Sequence, residues 1–117
     1  MTLETKFKKH TLVVVAAIIE QINQHPVDAK TTLQYAVEAS ISRKMLQAAF
    51  RYITGVGVQE YRITQRMNFA KQLLQEGEKP IKEIAGICQF KSQRAFTTAF
   101  KKTFGMTPMK YQKQGSR

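Results

Sequence analysis

Apolar positions along this chain recur three and four residues apart, the spacing of one face of a helix. In "SRKMLQAAFRYITG", Leu46, Ala49, Phe50 and Ile53 stand at i, i+3, i+4 and i+7. Phe96, Ala99, Phe100 and Thr103 repeat that stripe in "SQRAFTTAFKKTFG". The same periodicity predicts helices over residues 10–24, 32–39, 58–77 and 81–87. The long one, from 58 to 77, turns Tyr61, Met67, Ala70, Leu73 and Leu74 inward. Breaks fall near Pro26 and over residues 54–57, 76–80 and 104–108, where Gly and Pro supply helix-ending conformations and remove an amide hydrogen. No segment alternates as a strand would, so the expected fold class is all-α.

The two striped helices are copies of one unit. Ser42 pairs with Ser92 at an offset of 50 residues, and the same offset pairs Phe50 with Phe100, Gly55 with Gly105 and Tyr61 with Tyr111. Both serines suit an N-cap, because a hydroxyl can accept from the free amides of the first turn. Both glycines, thirteen residues later, suit a C-terminal stop. A short helix precedes each serine, with Ala36 and Ala85 as small residues where two helices can approach closely, and Pro80 suits the first turn of the second short helix. A short helix, a tight turn and a capped helix is the outline of a helix-turn-helix, here written twice.

The outer faces of the capped helices distinguish a ligand-binding unit from an ordinary helical hairpin. Off the stripe stand Arg43, Lys44, Gln47, Ala48 and Arg51 in the first copy, and Gln93, Arg94, Thr97, Thr98 and Lys101 in the second. Arg and Gln match guanine and adenine edges, Thr can pack on a thymine methyl, and Lys or Arg near a helix end can neutralise phosphate. A merely solvated face would include Glu for i,i+4 pairs, and these faces have none. The helix between the copies, taken as about 18 residues at ~1.5 Å each, spans roughly 27 Å. The separation of successive major-groove segments is ~34 Å, so one chain can reach two of them, with some bending of the duplex.

Charge reinforces this reading. Nineteen Lys plus Arg against eight Asp plus Glu leave +11 and a pI of about 10.1. Such an excess suits an anionic partner, with nucleic acid ahead of an acidic membrane surface and a plainly solvated basic surface as the bland option. After Glu83 no acidic residue occurs, while Lys91, Arg94, Lys101, Lys102, Lys110, Lys113 and Arg117 follow. The alternative partner class is RNA or an acidic membrane surface. RNA recognition stacks bases on exposed aromatics, whereas Phe96 and Phe100 lie on the stripe expected to be buried.

Other chemistry is poorly supported. At 117 residues the chain is one domain or two very small ones, and its 43% hydrophobic content suffices for a core. The lone Cys88 excludes an intrachain disulfide and fits a reducing compartment. Its apolar neighbours Ile84, Ile87 and Phe90 suggest a small buried residue in preference to a reactive thiol. His10 and His25 have no ligand cluster, and no metal or other cofactor is expected. There is no nucleophile–base pair and no phosphate-cradling Gly loop, so the chain is not expected to be an enzyme. Basic residues followed by "LVVVAAII" imitate a secretion signal. The apolar run is far short of the ~20 residues of a membrane span, and a core helix stopped by Pro26 is the better reading.

The arrangement "IKEIAGICQFKSQRAFTTAFKKTFGMTPMKY" resembles the signature region of the AraC/XylS family of bacterial transcription regulators. "AVEASISRKMLQAAFRYITGVGVQEYRITQRMNFAKQLL" is similar to the preceding half of that domain, so the resemblance spans about residues 10–113. It implies seven helices: a first helix-turn-helix subdomain over 10–57, a linker helix over 58–76 and a second subdomain over 77–113. Residues 1–9 and 114–117 are left as tails. It implies a cytoplasmic, nucleoid-associated activator-type regulator whose partners are double-stranded DNA and RNA polymerase. Carried over by position, Lys44, Gln47, Gln93, Arg94 and Thr98 face bases, while Arg43, Arg51, Thr97, Lys101 and Lys102 contact the backbone or flanks. Three positions depart from the pattern: Gln89 replaces the usual Gly of a Gly-Phe pair, Ala48 a longer polar residue, and Gln112 a common Arg. A strained or reshaped second turn is therefore expected at Gln89. Family members usually carry a sensor or dimerisation domain as well. The chain is thus expected to be an excised C-terminal part in preference to a compact one-domain regulator, monomeric by itself and dimeric if such a domain is attached.

Overall fold

The computed structural model describes residues 7–115, and among them every regular element is an α-helix. The order is α1 (Lys9–Gln24), α2 (Thr32–Glu38), α3 (Arg43–Thr54), α4 (Val58–Glu76), α5 (Ile81–Ile87), α6 (Gln93–Phe104) and α7 (Pro108–Gly115). The chain divides into two compact units, Met1–Ile63 and Thr64–Arg117, and the division falls inside α4. The all-α class and the seven helices agree with the sequence reading. Boundaries move by a residue: α1 starts at Lys9, α2 stops at Glu38, and Pro80 is the N-cap of α5 instead of lying in its first turn.

In the first unit α1 and α2 both pack on α3. Val15 and Ile22 from α1, Tyr35 and Ala36 from α2, and Leu46, Ala49 and Phe50 from α3 form its core, closed by Val58 at the start of α4. A capping box starts α2: Thr31 Oγ1 accepts from the Gln34 amide at 3.1 Å while Gln34 Oε1 accepts from the Thr31 amide at 2.7 Å. Arg62, itself buried, donates to the Asp28 carbonyl at 3.0 Å and lies 5.4 Å from the centre of the Tyr35 ring. Its charge is thereby used within the fold. Tyr61 is half-buried, its hydroxyl donating to Asn23 Oδ1 at 2.6 Å.

The second unit buries Met67, Ala70, Leu73 and Leu74 from the rest of α4, as the periodicity predicts, with Ile84 and Ala85 from α5 and Phe96 and Phe100 from α6. Its aromatic centre is Phe100, whose ring lies 4.7 Å from Phe104, 5.8 Å from Phe96 and 5.8 Å from Tyr111. Cys88 is fully buried, with its Sγ 3.8 Å from the Arg66 carbonyl. Burial pushes its thiol from 9.0 up to about 11, and the positive charge of Arg66 offsets only part of that.

A pH dependence follows. The unfolded chain loses the Cys88 proton at lower pH than the native one, so deprotonation draws the equilibrium toward unfolding. Stability from this residue is intact below about pH 9 and declines from there toward pH 11. Chemical denaturation between pH 8 and 11 should show a decline that Cys88→Ala reduces. Equal declines in both chains would mean that the thiol is not the group responsible.

The two copies superimpose in logic down to their turns, with one difference. Ser40 and Gln89 both adopt left-handed backbone, φ +57° and +68°. Each follows a short helix closed by the same pair of bonds: Ser40 N–H to the Val37 carbonyl and Ile41 N–H to that of Ala36, and Gln89 N–H to that of Gly86 and Phe90 N–H to that of Ala85. This is a helix-ending motif that favours glycine, so both non-glycine side chains carry local strain of order 1 kcal/mol. The strain expected at Gln89 is present, and Ser40 shares it unforeseen. The turns are 49 residues apart while the serine caps are 50 apart, because Lys91 adds one residue to the second turn.

Candidate nucleic-acid interface

Local chemistry fixes where α3 and α6 begin and end. Ser42 Oγ accepts from the Met45 amide and Ser92 Oγ from the Ala95 amide, both at 3.0 Å. Gly55 and Gly105 take φ +85° and +79°, a region open to glycine, and donate their amides back to the Arg51 and Lys101 carbonyls at 2.8 and 2.7 Å. Arg51, Lys101 and Lys102 occupy the last turns, where positive charge complements the helix dipole. Each helix is therefore a rod of 12 residues with both ends defined.

Burial then fixes the rotation of each rod. Leu46, Ala49 and Phe50 hold α3 by one side, and Phe96 and Phe100 hold α6 by the corresponding side. At 100° per residue the opposite side is centred on Lys44, Ala48 and Arg51 in α3, and on Arg94, Thr98 and Lys101 in α6. All six are exposed, as are Arg43, Gln47, Gln93 and Lys102, while Thr97 is half-buried on the shoulder of α6. Neither helix contains a carboxylate, and each carries three cations: Arg43, Lys44 and Arg51, or Arg94, Lys101 and Lys102.

Two stripe members do not follow the periodicity. Ile53 is 41% exposed, and Thr103 is exposed with its hydroxyl donating to the Ala99 carbonyl at 2.9 Å. Both sit in the last turn. The sequence also gives no hint that Met45 and Tyr52 are partly exposed beside the cationic face, or that Phe7 is buried with its ring 5.5 Å from Tyr52. That contact attaches the approach to α1 to one flank of α3.

Gln47 and Arg51 also meet the corner between α3 and α4. Gln47 Oε1 accepts from the Val58 amide at 3.3 Å. A Cβ on Gly57 would lie 3.2 Å from Arg51 Nη2 and 3.8 Å from Gln47 Oε1. Among the described residues no three His, Cys, Asp or Glu side chains gather as a metal site requires, and no helix is long and apolar enough to cross a membrane.

Comparison with known proteins places these features in context. Residues 35–114 match the model of the family "Helix-turn-helix domain". The chain is 33% identical over 100 residues to an "AraC-like transcription regulator" of Streptomyces antibioticus, covering 86% of this chain and 33% of that protein. It spans less than half the length of the curated relatives it matches. Among solved structures, the C-terminal domain of AraT, a response regulator from Geobacillus stearothermophilus, is similar with a TM-score of 0.82 and 28% identity, over 89% of this chain and 87% of that one. The DNA-binding domain of AdpA, a global transcriptional factor solved in complex with a target DNA, is similar with a TM-score of 0.79 and 28% identity, over 86% of this chain and 90% of that one.

Proposed function

The chain belongs to the AraC-type helix-turn-helix family of DNA-binding transcription regulators, and from that membership we propose that it binds a specific duplex by setting α3 and α6 into adjacent major-groove segments. The family is one of DNA-binding domains, not a class of enzymes. The observation that carries the reading is the repetition itself: two end-defined rods, each held by a buried apolar side and each offering three cations and no carboxylate. In this reading Lys44, Gln47, Gln93, Arg94 and Thr98 face bases, while Arg43, Arg51, Thr97, Lys101 and Lys102 hold phosphates and flanks. The buried rings of Phe96 and Phe100 leave α6 without the stacking surface that single-stranded RNA recognition uses. Contact with RNA polymerase, and dimerisation through a further domain, belong to the same proposal at the level of the whole regulator.

Enrichment of bound duplexes from a random pool tests this directly, because it returns the site and the spacing of its two halves together. Two short blocks about one helical turn apart are expected. Failure to enrich any duplex, or tighter binding to duplex RNA or anionic vesicles, would reject the proposal. Within an enriched site, Arg94→Ala should cost about 1–3 kcal/mol and relax preference at one guanine. An equal loss on every sequence would move Arg94 to the phosphate-binding set.

A further inference from the structure

We infer that α3 reads a thymine through its 5-methyl group, seated over Ala48 among the side chains of Lys44, Met45, Arg51 and Tyr52. This rests on the proposal that α3 lies in a major groove.

On a helix surface the neighbours of a residue stand three and four positions away on either side. Around Ala48 these are Lys44, Met45, Arg51 and Tyr52, all long and all exposed, while Ala48 itself is exposed and ends at one methyl. A short residue ringed by four long ones makes a dimple with an apolar floor. Its direction is fixed, because Leu46, Ala49 and Phe50 are buried on the other side of the rod. The Ser42 hydroxyl, accepting from the Met45 amide at 3.0 Å, holds the first turn that carries Met45. Residues near the start of a recognition helix are the ones that meet base edges. The walls differ in kind: Lys44 and Arg51 are cations, whereas Met45, 39% exposed, and Tyr52, its ring 5.5 Å from Phe7, are uncharged. At the offset of 50, the ring around Thr98 is Arg94, Ala95, Lys101 and Lys102. A hydroxyl stands in that floor, one wall is cut down to alanine and the others are cations, so α6 has no matching apolar seat.

Chemistry selects the occupant. The side chains of Ala48 and Met45 carry no strong donor or acceptor, so they cannot pair with the polar groups of a base edge. The apolar group that unmodified base pairs display in the major groove is the thymine methyl. A phosphate would leave the floor unmatched. Met45 suits a wall, since its unbranched thioether chain adapts to the shape it meets. Seating the methyl takes one methyl-sized group out of water, which is about fourfold in affinity. The part of the duplex under α3 therefore holds a thymine recognised by shape, whereas Gln93 and Arg94 on α6 supply hydrogen-bonded readout.

Deoxyuridine, which differs from thymidine by this methyl alone, isolates the contact. In the enriched duplex each thymine is replaced in turn by deoxyuridine, and binding is followed by fluorescence anisotropy. One replacement should weaken the wild-type chain about fourfold, and two variants then locate the methyl. Ala48→Gln fills the dimple and Met45→Ala removes a wall. Both positions are exposed and both new residues are good helix formers, so the fold is retained. The deoxyuridine penalty at that thymine should fall below about twofold in Ala48→Gln and shrink in Met45→Ala. At the same base pair, 5-methylcytosine should bind the wild-type chain about fourfold more tightly than cytosine, because it restores the methyl without the rest of thymine. The inference is overturned if no thymine shows a penalty that Ala48→Gln abolishes, or if cytosine and 5-methylcytosine bind equally there. Either result leaves the duplex reading intact, since the wild-type chain still enriches a site. No enrichment of any duplex by the wild type would overturn both.

Discussion

Raising salt from 50 to 200 mM should weaken the hold of this chain on its duplex by about 10³–10⁵-fold, the range for roughly 6–10 neutralised phosphates. Four of these contacts follow from the two helices alone. Arg43 and Arg51 on α3 and Lys101 and Lys102 on α6 are exposed cations assigned to phosphate, with no carboxylate beside them on the same helix. Four phosphate contacts give a slope of log K against log salt of about −3.6, or about 10² over this fourfold interval. Lys91, Lys110 and Lys113, also exposed, bring the set to seven cations and the loss into the stated range. Fluorescence anisotropy on the enriched duplex across a salt series measures the slope. A loss of less than tenfold would mean that the cationic sides of α3 and α6 do not lie on phosphate. Lys101→Ala should then lower the slope by about one while leaving base preference unchanged, the opposite of what Arg94→Ala is expected to do.

Most of that interface is legible in the sequence because the constraints that build it are local. A serine that caps, a glycine that stops and an apolar residue every third or fourth position act within 13 residues, and each leaves a mark in the residue order. Ser42, Ser92, Gly55, Gly105, Phe50 and Phe100 all do in the structure what their spacing says. Features set by the ends and neighbours of elements are less legible. Ile53 has the correct phase to be buried, but it lies in the last turn of α3 and is 41% exposed. Phase counts faces, and does not record where a neighbouring helix ends. The left-handed turn at Ser40 is hidden for a different reason: neither Ser nor Gln announces positive φ, and only comparison of the two copies exposes it. Gln47 is the clearest case, since its bond to Val58 spans 11 residues and depends on the corner between α3 and α4.

Phe100→Ala should destabilise the chain by about 3–5 kcal/mol, the range for emptying a fully buried aromatic site. Phe100 has no solvent-exposed surface and meets three rings, with the Phe104 contact at 4.7 Å in edge-on geometry. Such pairs contribute about 0.5–1.5 kcal/mol each beyond area burial, which places this site toward the upper end. Total stabilities of small domains are about 5–15 kcal/mol, so the substitution removes a large share of the margin. Its functional effect differs in kind from that of Arg94→Ala. Phe96 and Phe100 are the buried side chains of α6, and they set its rotation. Without Phe100, the exposure of Arg94, Thr98 and Lys101 on one side is no longer enforced, and all sequences should lose affinity together. Denaturant unfolding, with hydrogen exchange followed at the amides of α5, α6 and α7, checks the claim. A cost below about 1 kcal/mol, with protection in α6 unchanged, would mean that the core refills the space, since collapse into the cavity is what lowers such costs. The rod would then be oriented by Phe96 and its N-cap alone, and the tie between core packing and base reading would fail.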